Sequence, residues 1–141
     1  MERSTKQVII IRKDLKMRRG KEISQGAHAS MGALLSTFIP YWESSDVKDG
    51  YEGYNIQRKK SDNDPVMQWL KGSFTKITVT VQTEEDLLQL HKLAHVADIP
   101  NALIKDNGKT EFDGVPTHTA LAIGPWWSDE IDRITGHLTL Y

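Results

Sequence analysis

The feature that most restricts the fold is Gln7–Lys13 (QVIIIRK), a continuous β-branched run followed shortly by a segment rich in small residues. An unbroken apolar run of strand length, rather than an alternating one, marks a strand covered on both faces. In Glu22–Thr37 (EISQGAHASMGALLST), Ile23, Ala27, Ser30/Met31 and Leu34/Leu35 recur at helical spacing. Gly26, Ala27, Ala29, Gly32 and Ala33 let such a helix approach a sheet closely, at a cost in helix propensity that packing must offset. A doubly covered strand feeding this helix predicts an α/β protein.

The rest of the chain extends the pattern. Asp14–Lys21 (DLKMRRGK) is polar, basic and broken by Gly20, and reads as a loop. Phe38–Asn63 shows no period and contains Pro40, Gly50, Gly53 and the basic triplet Arg58-Lys59-Lys60, so we expect a long irregular surface insertion. Asp64-Pro65 fits an N-cap and first helical position of a short helix through Leu70. Phe74–Gln82 alternates as a half-polar strand, and Thr83-Glu84-Glu85-Asp86 opens a helix over LLQLHKLAHVA. Ala102–Lys105 and Thr119–Ile123 are short strands, Ser128 caps a small helix ending at Gly136, and His137–Tyr141 is a candidate edge strand. The order β-α-(insertion)-α-β-α-β-β-α, with a final β, predicts a three-layer α/β sandwich. Its mixed sheet has four or five strands with helices on both faces, in one domain of 141 residues.

Composition removes several classes of function. The absence of Cys excludes a disulfide scaffold, a thiolate metal site and a Cys nucleophile. No run approaches the ~20 apolar residues of a membrane helix. MERSTKQ runs into the first strand without a signal-peptide apolar core, so the expectation is a soluble cytoplasmic protein. The net charge of −1 conceals an asymmetry: residues 1–21 hold eight Lys/Arg against Glu2 and Asp14, a balance of +6, and the remainder carries −7. A basic pole on a near-neutral chain fits a polyanionic partner, although an exposed charged loop has the same composition.

Four features converge if the first strand and the 102–106 strand are neighbours. DLKMRRGK runs into a helix N-terminus, which favours an anion. Lys21, Gln25 and His28 are spaced i, i+4, i+7 and share one helix face. Asp106 ends a strand, where α/β sheets place their ligands. Thr110 and Thr119 bracket the loop that follows. Each has a plainer explanation: a solvated lysine, a half-buried histidine, a turn at Asp106-Asn107-Gly108, a β-branched strand residue. The sequence has no GxGxxG, Walker A or GxSxG motif. His91 and His95 lack the Glu of HExxH and a third ligand, which leaves exposed histidines. Trp126-Trp127 suit either base stacking or packing at a helix entry.

VIIIRKDLKMRRGKEISQGAHASMGALL resembles the opening of the archaeal/eukaryotic-type (type II) peptidyl-tRNA hydrolases, close to V-x-R-x-D-[LI]-K-M-x-x-G-K-x-x-x-Q-x-A-H-A. The resemblance resumes at Trp69-Leu70, FTKITVTVQTEEDLLQL, ALIKDNGKTEF, TALAIGP and IDRITGHLTLY, covering about four-fifths of the chain in the family's order. It implies hydrolysis of the ester joining a peptide to the terminal ribose of tRNA, a mixed sheet flanked by helices, and no metal or organic cofactor. The family's catalytic lysine, aspartate and two threonines fall on Lys21, Asp106, Thr110 and Thr119, and its Gln and His on Gln25 and His28. Arg12, Lys16, Arg18, Arg19 and Lys109 join Gln25 and His28 as expected substrate and tRNA contacts. Arg18-Arg19, Asn107 and Lys109 depart from the usual residues, the Thr110-to-Thr119 loop is slightly longer than usual, and the 38–63 insertion is largely unmatched. The rival functions are a non-catalytic RNA- or protein-binding member of the same fold and an esterase on a small acylated substrate. Oligomeric state stays open, a homodimer included.

Overall fold

The computed structural model describes residues 3–40, 49–59 and 63–141. Its elements in chain order are β1 (Thr5–Arg12), a 3₁₀ turn (Lys13–Leu15), α1 (Arg19–Leu35), β2 (Ile39–Pro40), β3 (Tyr54–Asn55), α2 (Pro65–Lys71) and β4 (Lys76–Val81). They continue as α3 (Glu84–Val96), β5 (Asn101–Asp106), β6 (Thr117–Trp127), α4 (Ser128–Thr135) and β7 (Thr139–Leu140). Five strands form a mixed sheet in the order β5-β6-β1-β4-β7. β1 runs parallel to β4, and β6 runs antiparallel to both β1 and β5. The expected α/β sandwich is present.

β1 is covered on both faces, as its unbroken run requires. Val8 and Ile10 join Val79, Val81, Leu121 and Ile123 in a core closed by Leu87 and Leu90 of α3 and Ile131 and Ile134 of α4. On the other face Ile11 meets Ala29 and Ala33 of α1, with Ala120 and Ala122 of β6. The helix turns its small residues inward. Gln25, Gly26, Ala29 and Ala33 are its buried positions, while Ile23 and Met31 are 66% and 58% exposed. The large apolar residues at helical spacing are therefore not the sheet-facing stripe. A Cβ at Gly32 would lie 3.0 Å from the Ala102 Cβ, which shows how close the two elements run.

Several boundaries differ from expectation. Asp14–Lys21 is not all loop: a 3₁₀ turn fills 13–15, and α1 starts at Arg19 with Glu22 N–H donating to the Arg18 carbonyl at 3.0 Å. No side chain caps this start, so the usual Ser/Thr/Asp signal is missing. Phe38–Asn63 is not wholly irregular, because β2 and β3 pair antiparallel. Arg58 is tied to Asp64 at 2.7 Å, Lys60 and residues 41–48 lie outside the described residues, and Asp64 caps α2 through Met67 N–H. β6 runs eleven residues, through Gly124-Pro125, because β1 continues to pair with it as far as Trp127. Trp126 and Trp127 are thus strand residues: Trp127 is buried beneath the Arg3 guanidinium, and Trp126 Nε1 donates to Glu130 at 3.2 Å.

Candidate functional site

The site forms where β5 ends, β6 begins and α1 crosses above them. Asp106 is the last residue of β5, and its carboxylate is split between two tasks. Oδ2 accepts from the Gly108 N–H at 2.9 Å and so closes the turn that the Asp-Asn-Gly sequence announces. Oδ1 accepts from Lys21 Nζ at 2.9 Å and from Gln25 Nε2 at 3.5 Å. Turn residue and site residue are the same carboxylate. Gly108 has φ +83° and a Cβ there would stand 2.3 Å from the Val115 carbonyl oxygen, so only glycine fits.

Lys21 also donates to Thr110 Oγ1 at 3.0 Å, from the loop between β5 and β6. The ion pair is largely shielded, with side-chain exposures of 16% for Lys21 and 11% for Asp106. The hydrogen bond from Lys21 holds the Asp106 carboxyl below the ordinary aspartate range. The Gly108 N–H and the charges of Lys21 and His28 act in the same sense, against partial burial. Behind this layer the Thr119 hydroxyl, fully buried on β6, donates to Gln25 Oε1 at 2.5 Å. A continuous chain of polar contacts thus runs Thr119–Gln25–Asp106–Lys21–Thr110.

The structure brings together Lys21, Gln25, Asp106, Thr110 and Thr119, with His28 exposed beside them on α1. Thr119 and Gln25 sit beneath the surface, whereas Thr110 is open to solvent. Lys16, Arg18, Arg19 and Lys109 are exposed around the entrance, with Lys16 held at φ 51°. Arg12 is different: it is buried, bidentate to Asp14 at 3.1 and 2.6 Å, and donates to the His118 carbonyl at 3.0 Å. It anchors strand ends rather than facing solvent. Two neighbours had no signal in the sequence: Phe112, whose ring lies 6.0 Å from Lys21 Nζ, and Glu111, 3.6 Å from the Arg18 guanidinium. Loop residues follow no period that would point them inward.

Among the described residues no three His, Asp or Glu side chains could jointly hold a metal ion, and the His91 and His95 rings stand 6.4 Å apart. His91 instead meets the Asn101 side chain at 3.0 Å. Also among them, no helix is long and apolar enough to cross a membrane. The fold and site define an α/β protein in which a cation, a carboxylate and a hydroxyl can hold a water and face an oxyanion.

The sequence matches the family described as Peptidyl-tRNA hydrolase PTH2 over residues 5–141. It is 39% identical over 135 residues to the peptidyl-tRNA hydrolase of Methanopyrus kandleri, covering 96% of this chain and 97% of that one. The peptidyl-tRNA hydrolases of Methanothermobacter thermautotrophicus and Methanocaldococcus jannaschii are 35% and 33% identical, with 96% of this chain and 98% of each relative covered. The chain belongs to the PTH2 family of peptidyl-tRNA hydrolases and is a hydrolase.

Proposed function

We propose that the chain hydrolyses the ester between the terminal ribose of tRNA and a peptide or N-blocked aminoacyl group, in the cytoplasm. The observation that carries this function is the shielded Lys21–Asp106 pair, shared with Thr110 and set among exposed Lys16, Arg18, Arg19 and Lys109. The cations suit the phosphates of the tRNA terminus. The pair suits the ester.

Each oxygen of an ionised carboxylate has two lone-pair sites. Gly108 takes one on Oδ2, which leaves one for the attacking water, steadied from the far side by Thr110. A carboxyl held below its ordinary range is a weak base at neutral pH, so Asp106 orients the water more than it deprotonates it. Lys21 donates to the developing oxyanion or to the departing ribose oxygen. The water oxygen bonds to the carbonyl carbon and the carbon–ribose oxygen bond breaks. The products are a peptide carboxylate, a free ribose hydroxyl and a released proton. Thr119 and Gln25 are positioning residues, since their contacts reach the ester only through Asp106.

Single-turnover release of N-acetylaminoacyl groups from tRNA, set beside hydrolysis of a small acyl ester, tests this function. Fast release from tRNA with little turnover of the small ester is the expected result. Binding of tRNA without release marks a non-catalytic member of the fold, and equal turnover of both substrates marks a general esterase.

A further inference from the structure

The two flanks of α1 differ in kind. One carries Lys21, Gln25 and His28 toward Asp106. The other borders a groove of about 780 Å³ that no described element fills. Ile9 and Ile11 of β1 line its floor, Ile23 and Met31 its helix wall, and Trp69 and Phe74 its far end, with ring centroids 4.2 Å apart. Leaving Ile23 and Met31 exposed at 66% and 58% forfeits burial that the helix could have used elsewhere. Exposed apolar patches of this extent mark interaction sites.

We propose that this groove receives the peptide of the substrate as an extended segment leading away from the ester. The proposal rests on the reading of the chain as a peptidyl-tRNA hydrolase, which requires somewhere for the peptide to lie. The groove comes nearest the site at the N-terminus of α1. Arg19 and Glu22 line its near end, within one helical turn of Lys21. Gly20 lies between Arg19 and Lys21 and carries no side chain, with nothing within 4 Å of where its Cβ would stand.

Dimensions and chemistry agree with that occupant. From Arg19 to Leu34 the helix wall rises about 22 Å, enough for about six or seven extended residues. Apart from Arg19, Glu22 and Lys76 the lining is uncharged, and most of it is apolar. Apolar contact is non-directional and Met is adaptable, which suits peptides whose sequences vary.

The test compares the intact protein with the I23Q/M31Q double variant. Both positions are exposed and Gln is a good helix former, so fold and net charge are retained. The substrates are N-acetylalanyl-tRNA and the same tRNA carrying an N-acetylated Ala-Leu hexapeptide or a Gly-Ser hexapeptide. The wild type should hydrolyse the Ala-Leu substrate with kcat/KM about tenfold or more above N-acetylalanyl-tRNA, because remote binding energy is expressed at the reacting bond. The double variant should lose that gain and hydrolyse N-acetylalanyl-tRNA as before. An unchanged length dependence overturns the groove assignment. So does a change of mass by light scattering with the length dependence intact, which would give the groove to a second copy of the chain. Failure to hydrolyse any of the three overturns the hydrolase reading itself and the groove with it.

Discussion

The two faces of the sheet are built from side chains of different size. Toward α3 and α4, Val8, Ile10, Leu121 and Ile123 meet Leu87, Leu90, Ile131 and Ile134. Toward α1, Ala120, Ala122 and Ala102 meet Ala29 and Ala33, with Gly32 against Ala102 and the larger Ile11 and Met17 completing a smaller cluster. Burying a Leu or Ile side chain contributes roughly 1.5–3 kcal/mol, and an Ala far less. The bulky face therefore carries more of the stability. What the small face supplies is proximity: a helix backbone near enough for Gln25 to reach Thr119 and for Lys21 to reach Asp106. On the site proposed above, stability and chemistry are divided between opposite sides of one sheet.

The largest effect expected is on the small face. Asp106→Asn keeps the oxygen that accepts from Gly108 and removes the charge facing Lys21. Single-turnover hydrolysis should fall by ~10²-fold or more, the scale for a mispositioned reactant, with tRNA affinity unchanged and the melting temperature only modestly lowered by loss of the Lys21 ion pair. Near-wild-type hydrolysis would remove Asp106 from the chemistry. On the bulky face, Leu87→Ala should cost about 2–5 kcal/mol in denaturant unfolding while the folded fraction hydrolyses normally. An equal loss of catalysis there would erase the division between the faces.

Thr119→Val is nearly isosteric and deletes only the hydrogen bond to Gln25. A misplaced Gln25 loosens Asp106, so kcat should fall about tenfold with KM unmoved. Thr119→Ser, which keeps the hydroxyl, should restore the rate; a rise in KM alone would make Thr119 a substrate contact instead.

The smallest effect is on stability in acid. The Asp106 carboxyl is lowered in the folded state, so its contribution is present above the unfolded aspartate value of ~3.9. That contribution is lost as pH falls through the still lower folded value. Lys21→Met removes the main cause of the depression and should move the Asp106 titration upward by NMR. An unmoved titration would mean that the Gly108 N–H dominates.

Most of the fold could be read from local pattern. The unbroken β1 run, the Asp64 and Thr83 caps and the alternation in β4 each depend on a few neighbouring residues, and the Thr83 hydroxyl does accept from Asp86 N–H. The grouping of Lys21, Asp106 and Thr110 was legible from family motif and from strand-end placement together. Depth was not. Thr119 and Arg12 look like a site hydroxyl and a basic-pole cation in sequence, yet both are buried, because the level at which β6 and β1 lie beneath α1 is set by distant contacts. The small residues Gly26, Ala29 and Ala33 do face the sheet as their size suggested, but the helical spacing of Ile23 and Met31 gave no sign that both are left exposed. The pairing of β6 past Gly124-Pro125 depends on β1, more than a hundred residues away in sequence.

The polar chain from Thr119 to Lys21 alternates between the sheet and α1: Thr119 on β6, Gln25 on the helix, Asp106 on β5, Lys21 on the helix again. No two successive members belong to one element. Any partly opened form in which α1 has lifted from the sheet, even with every strand still paired, therefore breaks all of these links at once. With the chemistry proposed at these residues, turnover becomes a gauge of helix docking, and a denaturant concentration that frees α1 should silence the protein before the sheet melts.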